Sequence, residues 1–366
     1  MALTYLPFFG AAHCYCKLTG IEANGFTEPY HFAIQFSSLF YALIGVYFLI
    51  LLLKTQLSNR TVWWVSAGIL FGTNLLYYTT GAAGMPHATL FGFVSLFLYY
   101  SVKWHEHPSR ILSLKLGLTL GVIVLIRPVH LLFALVPLLY RVSSITSLRT
   151  QIRFFTVHKW LLILTAFVTC LVFLPQLFYW KMVSGHFLFN SYVGEGFYFS
   201  NPHFVEGLFS FRKGWLLYTP LMAFALLGFF PLYKNYRDYF YTCLCILVLY
   251  IYITFSWWCW WYGGSFGQRS MIDLYPLLAL PLAAYVESLH AMKPLYKTLS
   301  IGLMLFFFLL NIFQGYQAKR NVIHYDSMSA KAYRDAFFRI EEYPGRDSLL
   351  VVPDYENAKK GLDERP

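Results

Sequence analysis

The sequence predicts an all-α membrane protein, a polytopic bundle of about ten transmembrane helices, on three observations. Of its 366 residues, 58% are hydrophobic, 20% aromatic and only 12% charged, about half the charged share of an ordinary soluble domain. Apolar runs of spanning length recur along most of the chain. The basic residues gather on alternate loops, so the formal charge of +11 reads as a topology signal and no nucleic-acid partner is expected.

The elements follow in order. The opening MALTYLPFFGAAHCYCKLTG has no basic region ahead of its apolar residues and no long apolar core, so it does not read as a signal peptide. Apolar runs lie at about 30–53, 61–79, 160–180, 214–233, 239–257, 271–289 and 297–316, with a shorter one at 88–102. The stretch 111–140 fits one long tilted helix or two short ones broken at Arg127-Pro128, where proline removes a backbone donor and disfavours helix in the residue before it. Charge decides between them. Two helices leave thirteen Lys/Arg on one side of the membrane and five in the loops of the other, whereas one helix leaves nine against eight. The positive-inside rule selects the broken form. The expected organisation is a transmembrane domain over 1–316, with extracytoplasmic loops at 181–213 and 258–270, and a short extracytoplasmic tail over 317–366. The six cysteines are scattered and form no CxxC pair, so no disulfide scaffold is expected.

Long loops, glycine and aromatic residues concentrate on the weakly basic face, which is where a working site is expected. Its most unusual stretch is Trp257–Arg269, WWCWWYGGSFGQR. The tryptophans suit the aromatic belt of a membrane interface. The belt leaves Tyr262, Gly263, Gly264, Gln268 and Arg269 to be explained. Glycine admits a ligand close to the backbone, and an arginine at the mouth of a span can hold a phosphate with two parallel hydrogen bonds. Asp273 stands one helical turn beyond Arg269 and is a candidate partner for it. Arg127, set between two apolar segments, and His87, at the start of the third run in TTGAAGMPHATLFGF, are further candidates for binding substrate. Glu22, Glu28 and Glu195 are acids of the outer segments that could act as a general base. His105-Glu106-His107 lacks a third metal ligand nearby, and no phosphate-binding loop, dinucleotide fingerprint or nucleophile elbow occurs. In the tail, SMSAKAYRDAFFRI spaces Tyr333, Phe337 and Ile340 as an amphipathic helix expected to rest on the membrane or on the outer loops.

MPHATLFGF after an outer turn, the segment split at RP, SFRKGWLLYTPLM entering a span and WYGGSFGQRSMIDLYPLLALPLA together resemble the GT-C class of integral membrane glycosyltransferases. The likeness is to the bacterial branch related to protein mannosyltransferases and aminoarabinose transferase, and it covers roughly residues 1 to 320. The resemblance implies a protein of the bacterial cytoplasmic (inner) membrane. It would move a sugar from a polyprenyl-phosphate carrier to a lipid, glycan or protein acceptor at the outer face. Arg269 would bind the carrier phosphate. It implies no organic cofactor and leaves a role for a divalent cation open. The class also carries a catalytic aspartate in the loop after its first helix, and here no aspartate precedes Asp238. The expectation that follows is a chain lacking that helix and aspartate, its catalytic competence left open, with Glu22, Glu28 and Glu195 as weak substitutes for the base. A transporter or flippase of a lipid-linked precursor, and a polysaccharide polymerase or ligase, are the alternatives. The first calls for paired charges or broken helices near the bilayer midplane, which only Arg127 approaches, and the second for an arginine-rich outer loop, where 181–213 offers Arg212.

Overall fold

A computed structural model describes residues 1–190 and 192–364. One residue of the expected 181–213 loop and the last two of the expected tail lie outside that set. Helix makes up 71% of the chain, and the described residues contain no strand, only an isolated bridge between Phe197 and Trp257.

From the N-terminus the α-helices are α1 (Ala2–Thr19), α2 (Glu28–Leu53), α3 (Asn59–Phe71), α4 (Leu75–Thr80), α5 (His87–Glu106) and α6 (Arg110–Ile126). A 3-10 segment, Pro128–Ala134, leads into α7 (Leu135–Leu139), followed by α8 (Ile145–Val157) and α9 (Lys159–Ser184). Then come α10 (Phe204–Phe209), α11 (Trp215–Tyr218), α12 (Met222–Leu227), α13 (Phe229–Asn235) and α14 (Arg237–Phe255). The chain ends with α15 (Tyr275–Ser288), α16 (Pro294–Lys319), α17 (Ala330–Ala336) and α18 (Tyr355–Lys359).

Five described helical stretches are long and apolar enough to cross a membrane: α2, α9, α14, Arg269–Ala291 and α16. They coincide with five of the apolar runs read from the sequence, and the protein is of the helical membrane type. Several other runs are broken. Helix α6 ends where Pro128 forces Arg127 into an extended conformation, φ −146° and ψ 110°, and the next seven residues tighten into the 3-10 form. The run 214–233 falls into α11, α12 and α13, interrupted by Pro220 and by Gly228 ahead of Pro231. The run 61–79 breaks between α3 and α4 at Gly72.

The chain divides into two compact units, Met1–Gln56 with Tyr77–Phe187, and Leu57–Leu76 with Leu188–Pro366. In the first unit α1 lies on α2, with Phe8 edge-on to Phe36, Phe40 and Tyr41. The strongest seam joins α6 to α9. Gly117 and Gly121 present backbone to the facing helix, and the hydroxyls of Thr165 and Thr169 donate to the carbonyls of Ser113 and Gly117, each at 3.2 Å. Small residues and hydroxyl bonds serve where lipid gives helices no hydrophobic reason to associate. Helix α8, capped by the reciprocal Ser144 and Ser147 bonds, keeps exposed Ile145, Leu148 and Ile152 beside Arg149 and Arg153, the composition of an interfacial helix.

In the second unit α15 is the buried centre, packed by α3, α12, α13 and α14. The tail is not a loose appendage. The only buried side chains of α16 are Asn311, Gln314 and Gln317. Gln317 donates to the carbonyls of Ala336 and Arg339 at 2.6 and 2.7 Å, and Gln314 donates to the Tyr333 hydroxyl, so the end of α16 holds α17. Helix α17 stops at Ala336, which leaves Ile340 outside the expected amphipathic helix and exposed.

Candidate functional site

The candidate site is the loop Trp257–Arg269 and what grips it in the second unit. Three of its residues have left-handed backbone: Tyr262 (φ 58°), Gly263 (φ 60°) and Gly267 (φ 56°). For tyrosine this conformation is strained, and the surroundings must enforce it. They do so through side chains drawn from distant parts of the chain. Asn74, at the break after α3, donates to the Phe266 carbonyl at 3.5 Å and accepts from the Tyr275 hydroxyl at 2.7 Å. Gln268, fully buried, donates to the Trp260 carbonyl at 2.8 Å and accepts from Ser270 at 3.2 Å, so its amide is spent on the loop itself. The Lys213 ammonium donates to the Ser265 carbonyl.

The tryptophans do not form the expected interfacial belt. Trp258, Trp260 and Trp261 are 6%, 1% and 0% exposed, in a cluster with Cys259 and with Ala358 of α18. Each indole N–H has a partner: Trp258 donates to the Glu195 carboxylate at 2.8 Å, Trp260 to Glu364 at 3.3 Å and Trp261 to the Tyr355 hydroxyl at 3.4 Å. The tail supplies the apolar cover and two of the three acceptors, which is why these rings face protein rather than lipid.

Beneath the loop lies a cluster of bases. Lys213 is 1% exposed. Burial, and then the positive charge of Arg269, hold its ammonium well below the ordinary lysine range. Arg212 sits over the Trp261 ring at 5.4 Å and donates to the Asp326 carbonyl at 3.4 Å. Arg269 opens the 3-10 turn into α15 and is half-buried. The facing acids come from the tail. Asp326 accepts from Ser327 at 2.6 Å and from Tyr355 at 2.9 Å and lies 3.3 Å from His324, while Glu364 is held by Trp260. Asp273 is fully buried and accepts from Tyr250 at 3.3 Å. Cys259, pushed up to about 12 by burial, is an unreactive thiol.

Among the other candidates, Tyr262 donates to the Thr254 carbonyl at 3.2 Å, and Gly264 faces the Tyr325 ring. Glu195 anchors the 181–213 loop to the tryptophan loop, next to the Phe197–Trp257 bridge. In the first unit, His87 and Arg127 come together: Arg127 Nη2 lies 3.4 Å from His87 Nε2, an edge of contact forty residues apart in sequence. Glu22 and Glu28 are exposed, Glu28 in the first turn of α2. His105 is buried against Gln151 (2.8 Å) and the Ser101 carbonyl (2.9 Å), a packing role. Sequence reasoning missed Lys213, Asp326 and Glu364 as members of the site. The Arg-Lys pair at the mouth of a span was the available signal for the first, and nothing local marks the other two.

Comparison with known protein families, with curated proteins and with solved structures finds no match for this chain.

Proposed function

We propose that the chain is a GT-C-like membrane glycosyltransferase of about ten crossings in a bacterial cytoplasmic membrane, working at the outer face on a polyprenyl-phosphate-linked sugar. The five long apolar helices would be joined as crossings by the broken runs, which proline and glycine interrupt without making them polar. The observation that carries the reading is the buried Lys213 beside Arg269 and Arg212 under a strained, glycine-containing loop. Burial and Arg269 make the charged form of Lys213 costly, and an anion arriving beside it would relieve that cost. Gly263, where a side chain would meet nothing within 4 Å, leaves the loop backbone open to a headgroup. The carrier phosphate is the anion whose lipid half suits an adjoining bilayer.

In this reading Arg269 and Lys213 bind the phosphate and the loop backbone orients the sugar. Of the three acids considered as base, Glu195 is the one already attached to that loop, through Trp258. The acceptor is a lipid, glycan or protein. The test is incubation of the purified protein with radiolabelled polyprenyl-phosphate sugars, following sugar release and binding. Release that depends on Arg269 supports transfer. Binding without release in every acceptor mixture favours a flippase, and no binding removes the reading.

A further inference from the structure

A second candidate site in the second unit is a groove between α3, α15 and α16. Its lining follows helical periodicity: Arg60, Trp64 and Gly68 on α3, and Lys297, Met304 and Phe308 on α16, with Leu282, Val286 and His290 between them. The ends of these elements are tied together. Ser58, the N-cap of α3, donates to Glu287 on α15 at 2.8 Å, and only a short turn separates α15 from α16. Arg60, His290 and Lys297 therefore stand at one end of the groove, and the walls beyond them are almost wholly apolar.

From Lys297 to Phe308 the wall runs eleven residues along α16, about 16 Å at helical rise. That is half of a hydrocarbon core of roughly 30 Å, the depth of one leaflet. The groove lining carries no acid, and Glu287 beside it, which accepts from Ser58, stays an anion outnumbered by Arg60 and Lys297, so an incoming headgroup meets a net positive end. This end belongs to the strongly basic face of the chain, where the cytoplasmic leaflet and its anionic lipids are expected. A bare apolar slot accepts any chain, whereas a leaflet-deep slot with two positive charges at its end selects an anionic one. We propose that this groove is a binding site for an anionic phospholipid, one acyl chain lying between α3 and α16 and the phosphate resting on Arg60, His290 and Lys297. The site uses none of the residues assigned to sugar transfer, so either assignment can fail alone.

Native mass spectrometry of the detergent-purified protein, titrated with phosphatidylglycerol and with phosphatidylcholine of identical acyl chains, tests it. The intact protein should retain phosphatidylglycerol at least tenfold more strongly, a preference expected from about two basic contacts. The double variant Arg60→Gln, Lys297→Gln should lose that preference. Lys293→Gln, an exposed basic residue outside the groove, should keep it. Equal retention of the two lipids by the intact protein, or an equal loss in Lys293→Gln, overturns the proposal. Both altered side chains of the double variant are at least partly exposed, and its unchanged melting midpoint would establish that it folds.

Discussion

Replacing Gly117 by alanine tests whether the α6–α9 seam is a close backbone contact. A Cβ built there would lie 2.6 Å from the Thr165 carbonyl oxygen and 2.7 Å from Val168 Cβ, against 3.4 Å for ordinary contact. The helices must part by about 0.8 Å, and overpacking of that kind costs about 1–3 kcal/mol. The same shift stretches both 3.2 Å threonine bonds across the seam. Such bonds contribute about 0.6 kcal/mol each in a membrane. Each hydroxyl keeps an acceptor within α9, at 3.0 Å for Thr165 and 2.9 Å for Thr169, which holds the total near 2 kcal/mol. Helix α9 has no buried residue and α6 is its chief partner, so little else would compensate. Thermal unfolding in detergent should show a midpoint lower by about 3 °C. Gly302→Ala is the control, since a Cβ there meets nothing within 4 Å and alanine favours helix. Equal midpoints for the two variants would refute the reasoning.

The remaining predictions concern the second unit. Trp261→Ala empties a fully buried ring site and should cost about 3–5 kcal/mol, releasing the tail for faster cleavage by protease beyond residue 320; Trp160→Ala, whose ring is 71% exposed, should leave cleavage unchanged. Lys213 binds its proton less tightly folded than unfolded, so stability should rise with pH up to 10.5, by at most about 1.4 kcal/mol per pH unit. Lys213→Met should flatten that rise, as read from melting midpoints across the alkaline range. A bound phosphate favours the charged lysine, so carrier affinity measured by equilibrium binding should fall as pH is raised in the native protein and stay flatter in Lys213→Met.

Much of the fold was legible because membrane spans announce themselves locally. The five long helices follow from runs of apolar residues, and the end of α6 follows from Pro128 alone. The environment of the tryptophans was not legible. Rings at the end of a span read equally as an interfacial belt or as a protein core, and the choice here is made by Ala358 and Tyr355, about a hundred residues further on. Asn311, Gln314 and Gln317, spaced along one face of an otherwise apolar helix, were the overlooked sign that something polar docks there. The loop's chemistry was half visible. Arg269 and the glycines stand together in sequence, but Gln268 proves to be a brace, and Lys213 enters only because the chain brings 213 and 265 into contact.

The most direct test of the central claim is equilibrium binding of polyprenyl phosphate to the native protein, to Arg269→Ala and to Arg60→Gln, Lys297→Gln. Loss of a charge-assisted contact to phosphate predicts binding at least tenfold weaker in Arg269→Ala, with the double variant like the native protein. Binding that survives Arg269→Ala unchanged would contradict the assignment of the loop as the carrier site.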